Sequence, residues 1–149
     1  MKLDLPIDAN LPPEYVAKEE FRLEAYRRLA EVTSDAQVDD IRAEWEDRYG
    51  PVPEAAARLL DVARLRAEAH RLGAREINVT KGPAFSGPAW TARVSPITLK
   101  TSQTIRLARL FKGAVYKEDL HQLVLPIPNT PDLAGTLVDS LRRLVPPAE

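Results

Sequence analysis

The sequence predicts an α+β fold, in which helices pack on a small, mostly antiparallel sheet of two hairpins. Up to Gly73, apolar residues recur three and four positions apart, as they do on amphipathic helices. Beyond Gly73 the pattern changes to alternation over residues 76–80 and 90–94, which is typical of strands. Helical spacing then returns twice, on either side of a second alternating pair. The predicted order is three helices, a hairpin, a helix, a hairpin and a final helix.

Local signals set the bounds of the first half. Residues 3–7 alternate around Pro6, as a short edge strand does. Ser34 or Asp35 is suited to cap a helix, and Gly50 and Gly73 are suited to end one. These signals predict helices over residues 18–32, 36–48 and 54–72. Their predicted inward residues are Phe21, Ala25, Leu29 and Val32, then Val38, Ile41 and Trp45, then Leu59, Val62, Leu65, Ala69 and Leu72.

Glycine and proline divide the second half. Residues 81–88 are predicted to be the first hairpin turn, and residues 114–117 and 122–126 to be the second hairpin. Thr101 or Ser102 is predicted to cap a helix reaching about Lys112, and residues 130–132 to open the last helix. The predicted inward residues are Ile105, Ala108 and Phe111 on the first of these helices, and Leu133, Leu137, Leu141 and Leu144 on the second.

We expect residues 1–149 to form a single domain in three parts. They are an extended lead-in over 3–17, a helical part over 18–73, and a hairpin–helix–hairpin–helix part over 74–149. Charge divides the chain in a similar way, since residues 1–54 carry 7 Lys/Arg and 14 Asp/Glu while residues 55–149 carry 14 and 8. The balances are therefore −7 and +6. Such polarity favours oriented docking to a partner over a uniform basic footprint.

The motifs of catalysis and of cofactor binding are missing from the sequence. There is no glycine-rich phosphate loop, and the absence of cysteine excludes disulfides, thiolate catalysis and cysteine zinc sites. His70 and His121 are the only histidines, too few for a metal cluster. We therefore expect no enzymatic activity, no metal and no cofactor. The lack of cysteine, of a signal-peptide pattern and of any apolar run near ~18 residues favours a cytoplasmic protein without a membrane partner.

Acidic residues crowd the predicted end of the second helix. Glu44, Glu46 and Asp47 lie where exposed carbonyls already make a helix partly negative, and Arg48 offsets them only in part. Glu44 and Asp47 are three apart and so project from one face. Either this face is simply solvated, or it meets a basic partner surface.

A basic cluster follows on the third helix, with Arg58, Arg64, Arg66, Arg71 and Arg75. It supports an alternative function, nucleic-acid binding by the Arg58–Arg75 face. The competing interpretation is a solvated face whose arginines pair with Asp61 and Glu68. A small hydrolase with an unrecognised site is a further alternative, without a motif in its favour.

Several segments together resemble the C-terminal domain of bacterial transcription-repair coupling factors. They are LPIDANLPPEYV (5–16), RLEAYRRLA (22–30), EWEDRYGPVP (44–53), LLDVARLR (59–66) and LGA (72–74). The resemblance is dense over residues 3–76 and weak beyond. It covers only the last domain of a much larger translocase, and Met1-Lys2 would then be the start of a cloned fragment.

The resemblance implies a regulatory role. In that family the ATPase motor, the RNA-polymerase-binding domain and a UvrB-like module lie upstream. The C-terminal domain docks on the UvrB-like module, hides the surface that recruits UvrA and holds the enzyme repressed, while DNA is contacted through the motor. The family's acidic docking positions fall here on Glu44 and Asp47, beside Arg48. Trp45 and Glu46 depart from the more aliphatic residues expected next to those acids.

Overall fold

The computed structural model describes residues 1–81, 90–128, 130 and 132–147. In order, the described elements are β1 (Lys2–Asp4), α1 (Glu19–Ala30), α2 (Asp35–Tyr49), α3 (Glu54–Leu72), β2 (Glu76–Lys81), β3 (Trp90–Ser95), α4 (Thr101–Leu110), β4 (Val115–Lys117), a 3-10 turn (Glu118–Leu120), β5 (Gln122–Ile127) and α5 (Leu133–Leu144). The predicted α+β fold and order of elements are confirmed. Of the predicted first hairpin turn, residues 82–88 lie outside the described residues.

The five described strands form one sheet in the order β1-β2-β3-β5-β4. Both predicted hairpins are present and antiparallel, with Ile77 opposite Val94 in the first and Tyr116 opposite Leu123 in the second. Antiparallel pairing of β3 with β5 joins the two hairpins. β1 is the predicted edge strand and is parallel to β2, but it covers Lys2–Asp4 and not residues 3–7.

Two buried clusters share α3. The helical core contains Val38, Ile41 and Trp45 of α2 with Leu60 of α3. The sheet core lies under the inner sheet face and contains the four leucines predicted for α5 together with Leu65 and Ala69 of α3. One helix therefore packs one side against α1 and α2 and another side against the sheet and α5.

This double burial explains an error in the predicted inward face of α3. Leu59, Val62 and Leu72 are only half-buried. Leu60 and three alanines, Ala56, Ala63 and Ala67, are buried instead, in the helical core. A 3.6-residue stripe of large residues finds one buried side of a helix and misses a second side lined by alanine.

The predictions for α4 are also partly wrong. Ile105 is 66% exposed and Ala108 is exposed, whereas Leu107 is the buried residue. Neither Thr101 nor Ser102 caps the helix, which starts at Thr101 after Lys100, whose backbone N–H donates to Gln103 Oε1 over 2.8 Å. Phe111 packs against the sheet core as predicted, but from just beyond the helix end.

Candidate docking surface

The acidic residues predicted to bind a partner lie on the last two turns of α2. Trp45 of the same helix is 3% exposed and therefore marks the side of α2 that faces the core. Asp47 and Arg48 are exposed, and Glu44 is half-buried beside α1. The Tyr15 hydroxyl donates to the Gly50 carbonyl oxygen over 2.9 Å and anchors the end of this helix.

Glu44 is engaged within the domain. One carboxylate oxygen accepts a hydrogen bond from Arg28 of α1, and the other lies 3.7 Å from Arg48 Nη1. No signal in the sequence pointed to Arg28, because its pairing depends on how α1 crosses α2. Glu44 thus joins two helices as well as facing outward.

The surroundings of Asp47 are those predicted from the sequence for an acid that binds a basic partner. It is exposed, and among the described residues no basic group lies within 4.0 Å of its carboxylate, whereas Glu46 pairs with Arg42 at 3.3 Å. It also lies close to the C-terminal carbonyls of α2, which disfavour negative charge. Asp47 is therefore the acid most open to an external cation.

Arg48 is held between two aromatic rings. Its guanidinium carbon lies 5.3 Å from the ring centroid of Phe21 on α1 and 5.3 Å from that of Tyr49. Phe21 was predicted to face inward, yet it is 36% exposed. The structure thus adds an apolar element to the predicted charges, which helical spacing could not reveal.

These side chains border a shallow pocket of about 80 Å³ between α1 and α2, whose lining includes Phe21, Arg28, Glu44, Trp45 and Arg48. It is well below the ~300 Å³ expected of a small-molecule site. It can receive one side chain of a protein partner. We call Phe21, Arg28, Glu44, Asp47 and Arg48 the acidic docking surface.

The alternative surface on α3 is largely neutralised. Arg58 pairs with Glu54, Arg64 with Asp39 and Arg71 with Glu68, each at 2.6 Å. Pairing with Glu68 was predicted. The predicted pairing with Asp61 is wrong for Arg64, because α2 brings Asp35 and Asp39 within 4.0 Å of it.

Of the other two arginines, only Arg75 is exposed. Arg66 is half-buried, and burial lowers its pKa. Arg75 is exposed at the start of the sheet part. A phosphate backbone would therefore have to displace existing carboxylates along most of the Arg58–Arg75 face.

Two other carboxyl groups on α3 are unusual. Glu68 is 5% exposed and is held by Arg71 at 2.6 Å and by Arg142 of α5 at 2.8 Å. Burial, and then the neighbouring carboxylate of Asp132, raise the pKa of Asp61 to about 6. Both groups lie at contacts between helices, where they affect stability.

Within the described part of the chain, no group of three or more His, Cys, Asp or Glu residues is placed to hold a metal ion. His121 lies in the turn of the second hairpin, as predicted, with a left-handed backbone at φ 48°. None of the described helices has both the length and the apolar content to span a membrane.

A family model described as the TRCF domain matches residues 5–94, from the lead-in through β3. The chain belongs to the TRCF domain family. The transcription-repair-coupling factor of Mycobacterium tuberculosis is 44% identical over 135 residues, covering 91% of this chain and 10% of that protein. The Escherichia coli protein of the same name is 34% identical over 76 residues, covering 51% of this chain and 7% of that protein.

A solved structure supports the fold of this TRCF domain over nearly all of its length. The crystal structure of the C-terminal domain of a transcription-repair coupling factor matches with a TM-score of 0.73, covering 96% of this chain and 92% of that chain at 19% identity. The resemblance seen in the sequence is confirmed. The chain spans about a tenth of the length of the curated relatives.

Proposed function

We propose that this TRCF domain is a non-catalytic regulatory domain of a transcription-coupled DNA repair translocase. It docks through the acidic docking surface on the UvrB-like module of the same protein and masks the surface that binds UvrA. The observation that carries the proposal is Asp47, an exposed acid at a helix end that disfavours it, next in sequence to Arg48, which stacks on the partly exposed Phe21. The parent protein would couple ATP hydrolysis to movement on DNA and meet stalled RNA polymerase in the cytoplasm.

The energy that such a role requires is small. A ratio of closed to open states of about 100:1 corresponds to ~2.7 kcal/mol. An interfacial ion pair on Asp47, a contact to Phe21 and a partner side chain in the pocket between α1 and α2 can together supply this. A weak intramolecular lock of this kind can be released by a competing partner, which suits regulation.

The direct test is binding of this chain to the isolated UvrB-like module, measured by calorimetry with and without UvrA. Wild type should bind, and UvrA should compete. Asp47→Lys should weaken binding at least tenfold, because it places like charges together. Asp40→Lys, which makes the same change in charge at an exposed acid in the first half of α2, is the matched control and should bind as wild type does. Equal affinities of wild type and Asp47→Lys would refute this surface.

The consequence in the full-length protein is a shift towards the open state. The double variant Glu44→Ala/Asp47→Ala should raise both UvrA affinity and ATP turnover, because the closed state loses its ion pairs. Raised salt should act in the same direction if these pairs are solvent-accessible. Unchanged UvrA affinity in this variant would mean that the two acids do not serve docking.

A further inference from the structure

A second charged surface lies in the basic part of the chain, residues 55–149. Residues 77–117 contain no Asp or Glu but seven Lys/Arg, namely Lys81, Arg93, Lys100, Arg106, Arg109, Lys112 and Lys117. Every ion pair found among the described residues uses an arginine from outside this segment. The positive charge of this segment is therefore not neutralised within the described structure, unlike that of α3.

Helix α4 and the residues that flank it carry part of this charge on exposed side chains. Leu107 is buried, and Gln103, Arg106 and Leu110 are half-buried towards the protein. At 3.6 residues per turn, the opposite half of the helix presents a continuous exposed row. Its members are Thr101, Thr104, Ile105, Ala108 and Arg109. Lys100 just before the helix and Lys112 just after it are also exposed. We call these seven residues together the α4 cationic face.

The neighbouring elements do not neutralise the positive charge of this face. Arg143 of α5 stacks on Phe111 at 5.5 Å, next to Lys112, and so adds positive charge at that end. The acids of adjoining elements are Glu118 and Asp119 in the 3-10 turn and Asp139 on α5. In the described structure, none of these three lies within 4.0 Å of a basic group of the face.

We propose that the α4 cationic face binds the phosphate backbone of duplex nucleic acid, without reading sequence. Lysine, arginine and hydroxyl side chains supply most backbone contacts in such complexes, and this face presents all three types. The ten residues of α4 span about 15 Å, a length of duplex that carries about nine phosphates. The face carries no aromatic side chain on which unpaired bases could stack, which favours a duplex over a single strand.

An acidic protein is the competing partner for such a face. A protein interface generally has an apolar centre inside its polar rim. Ile105 is the single large apolar side chain on this face, and hydroxyl groups and cations surround it. A phosphate backbone needs no such centre and therefore fits better.

The test is fluorescence anisotropy of a labelled 20-base-pair duplex of arbitrary sequence, titrated with the chain at several salt concentrations. We expect a Kd of about 1–100 μM at physiological salt and tighter binding at lower salt. Neutralising three phosphates would weaken binding about forty-fold between 50 and 200 mM salt. The triple variant Lys100→Gln/Arg109→Gln/Lys112→Gln should lose most of this binding and most of its salt dependence.

The matched control is Lys2→Gln/Lys18→Gln/Arg27→Gln, which makes the same change in net charge on exposed residues elsewhere. It should bind the duplex as wild type does. Melting curves followed by circular dichroism should show both triple variants folded. Loss of binding in the control alone, or no binding by wild type at low salt, would overturn the proposal. Equally tight binding of polyglutamate of matched charge would identify an acidic protein as the partner instead.

Discussion

At the scale of single residues, two acids of the same charge have different neighbours. Asp47 faces solvent near the carbonyl end of α2, whereas Glu44 is tied to Arg28 and Arg48. Asp47→Ala should raise the free energy of unfolding by about 0.3–1 kcal/mol, because it removes an unfavourable charge. Glu44→Ala should lower it by up to ~1 kcal/mol, the range for a partly exposed ion pair. Urea denaturation of both variants at low salt checks this, and the same sign for both would contradict it.

The stacking of Arg48 is a second feature at this scale. Its guanidinium lies over Phe21 from α1, so that the pair bridges two helices on the docking surface. A double-mutant cycle with Phe21→Ala and Arg48→Gln should give a coupling of about 0.5–1 kcal/mol in stability, as partly exposed cation–π pairs do. Additive effects would show that Arg48 stacks on Tyr49 alone.

At the scale of elements, Glu68 joins three helices. It pairs with Arg71 on α3 and with Arg142 on α5, and Arg142 in turn pairs with Asp35 on α2. Glu68→Ala should therefore cost about 3–5 kcal/mol, the loss expected when one member of a buried pair is removed. The exposed Glu24, which pairs with Arg27 at 3.8 Å, is the control, and Glu24→Ala should cost less than ~1 kcal/mol. Equal losses in chemical denaturation would contradict a structural role for Glu68.

Asp61 makes the contact between α3 and the start of α5 sensitive to pH. Burial, the carboxylate of Asp132 and the partly offsetting charges of Arg64 and Arg42 place its folded pKa at about 6, above the unfolded value of 3.8. The folded state thus holds this proton more tightly, so its stabilising effect is full below pH 4 and is lost as pH rises through 6.

Asp61→Asn should consequently stabilise the domain at pH 7.5, by about 1 kcal/mol once screening of a half-buried group is allowed for. The difference from wild type should vanish near pH 4. Thermal unfolding at both pH values measures this, and an equal shift in Tm at both would mean that the carboxylate charge is not responsible.

Elements differed in how far the sequence alone defined them. In α5 one side is buried by large residues, so the spacing of its leucines predicted the buried face correctly. In α3 and α4 the spacing of large apolar residues did not predict the buried face correctly. Alanines line much of the second buried side of α3, and Leu107 alone is buried on α4. Of the two acids proposed for docking, Asp47 has the surroundings that the sequence predicted, whereas Glu44 is paired with Arg28 and Arg48. Arg28 and Phe21 were not, because their positions depend on how α1 crosses α2.

At the scale of the whole molecule, charge and packing divide the chain differently. Charge separates an acidic first third from a basic remainder, which would let the domain present the acidic docking surface and the α4 cationic face to two partners. Packing joins the two parts, because α3 contributes Leu60 and Ala63 to the helical core and Leu65 and Ala69 to the sheet core. A continuous helix cannot leave one core without disturbing the other, and Glu68 adds an ionic connection beside it.

The two cores should therefore unfold together. The two tryptophans of the chain report on them separately, because Trp45 is buried in the helical core and Trp90 packs against the sheet core. In Trp45→Phe and Trp90→Phe, the fluorescence of the remaining tryptophan and the far-ultraviolet circular dichroism should give the same urea midpoint within each variant. Introducing Glu68→Ala should lower both midpoints together. If Trp45 instead reported an earlier transition than Trp90, the helical part would be a separate folding unit, and residues 1–149 would comprise two domains.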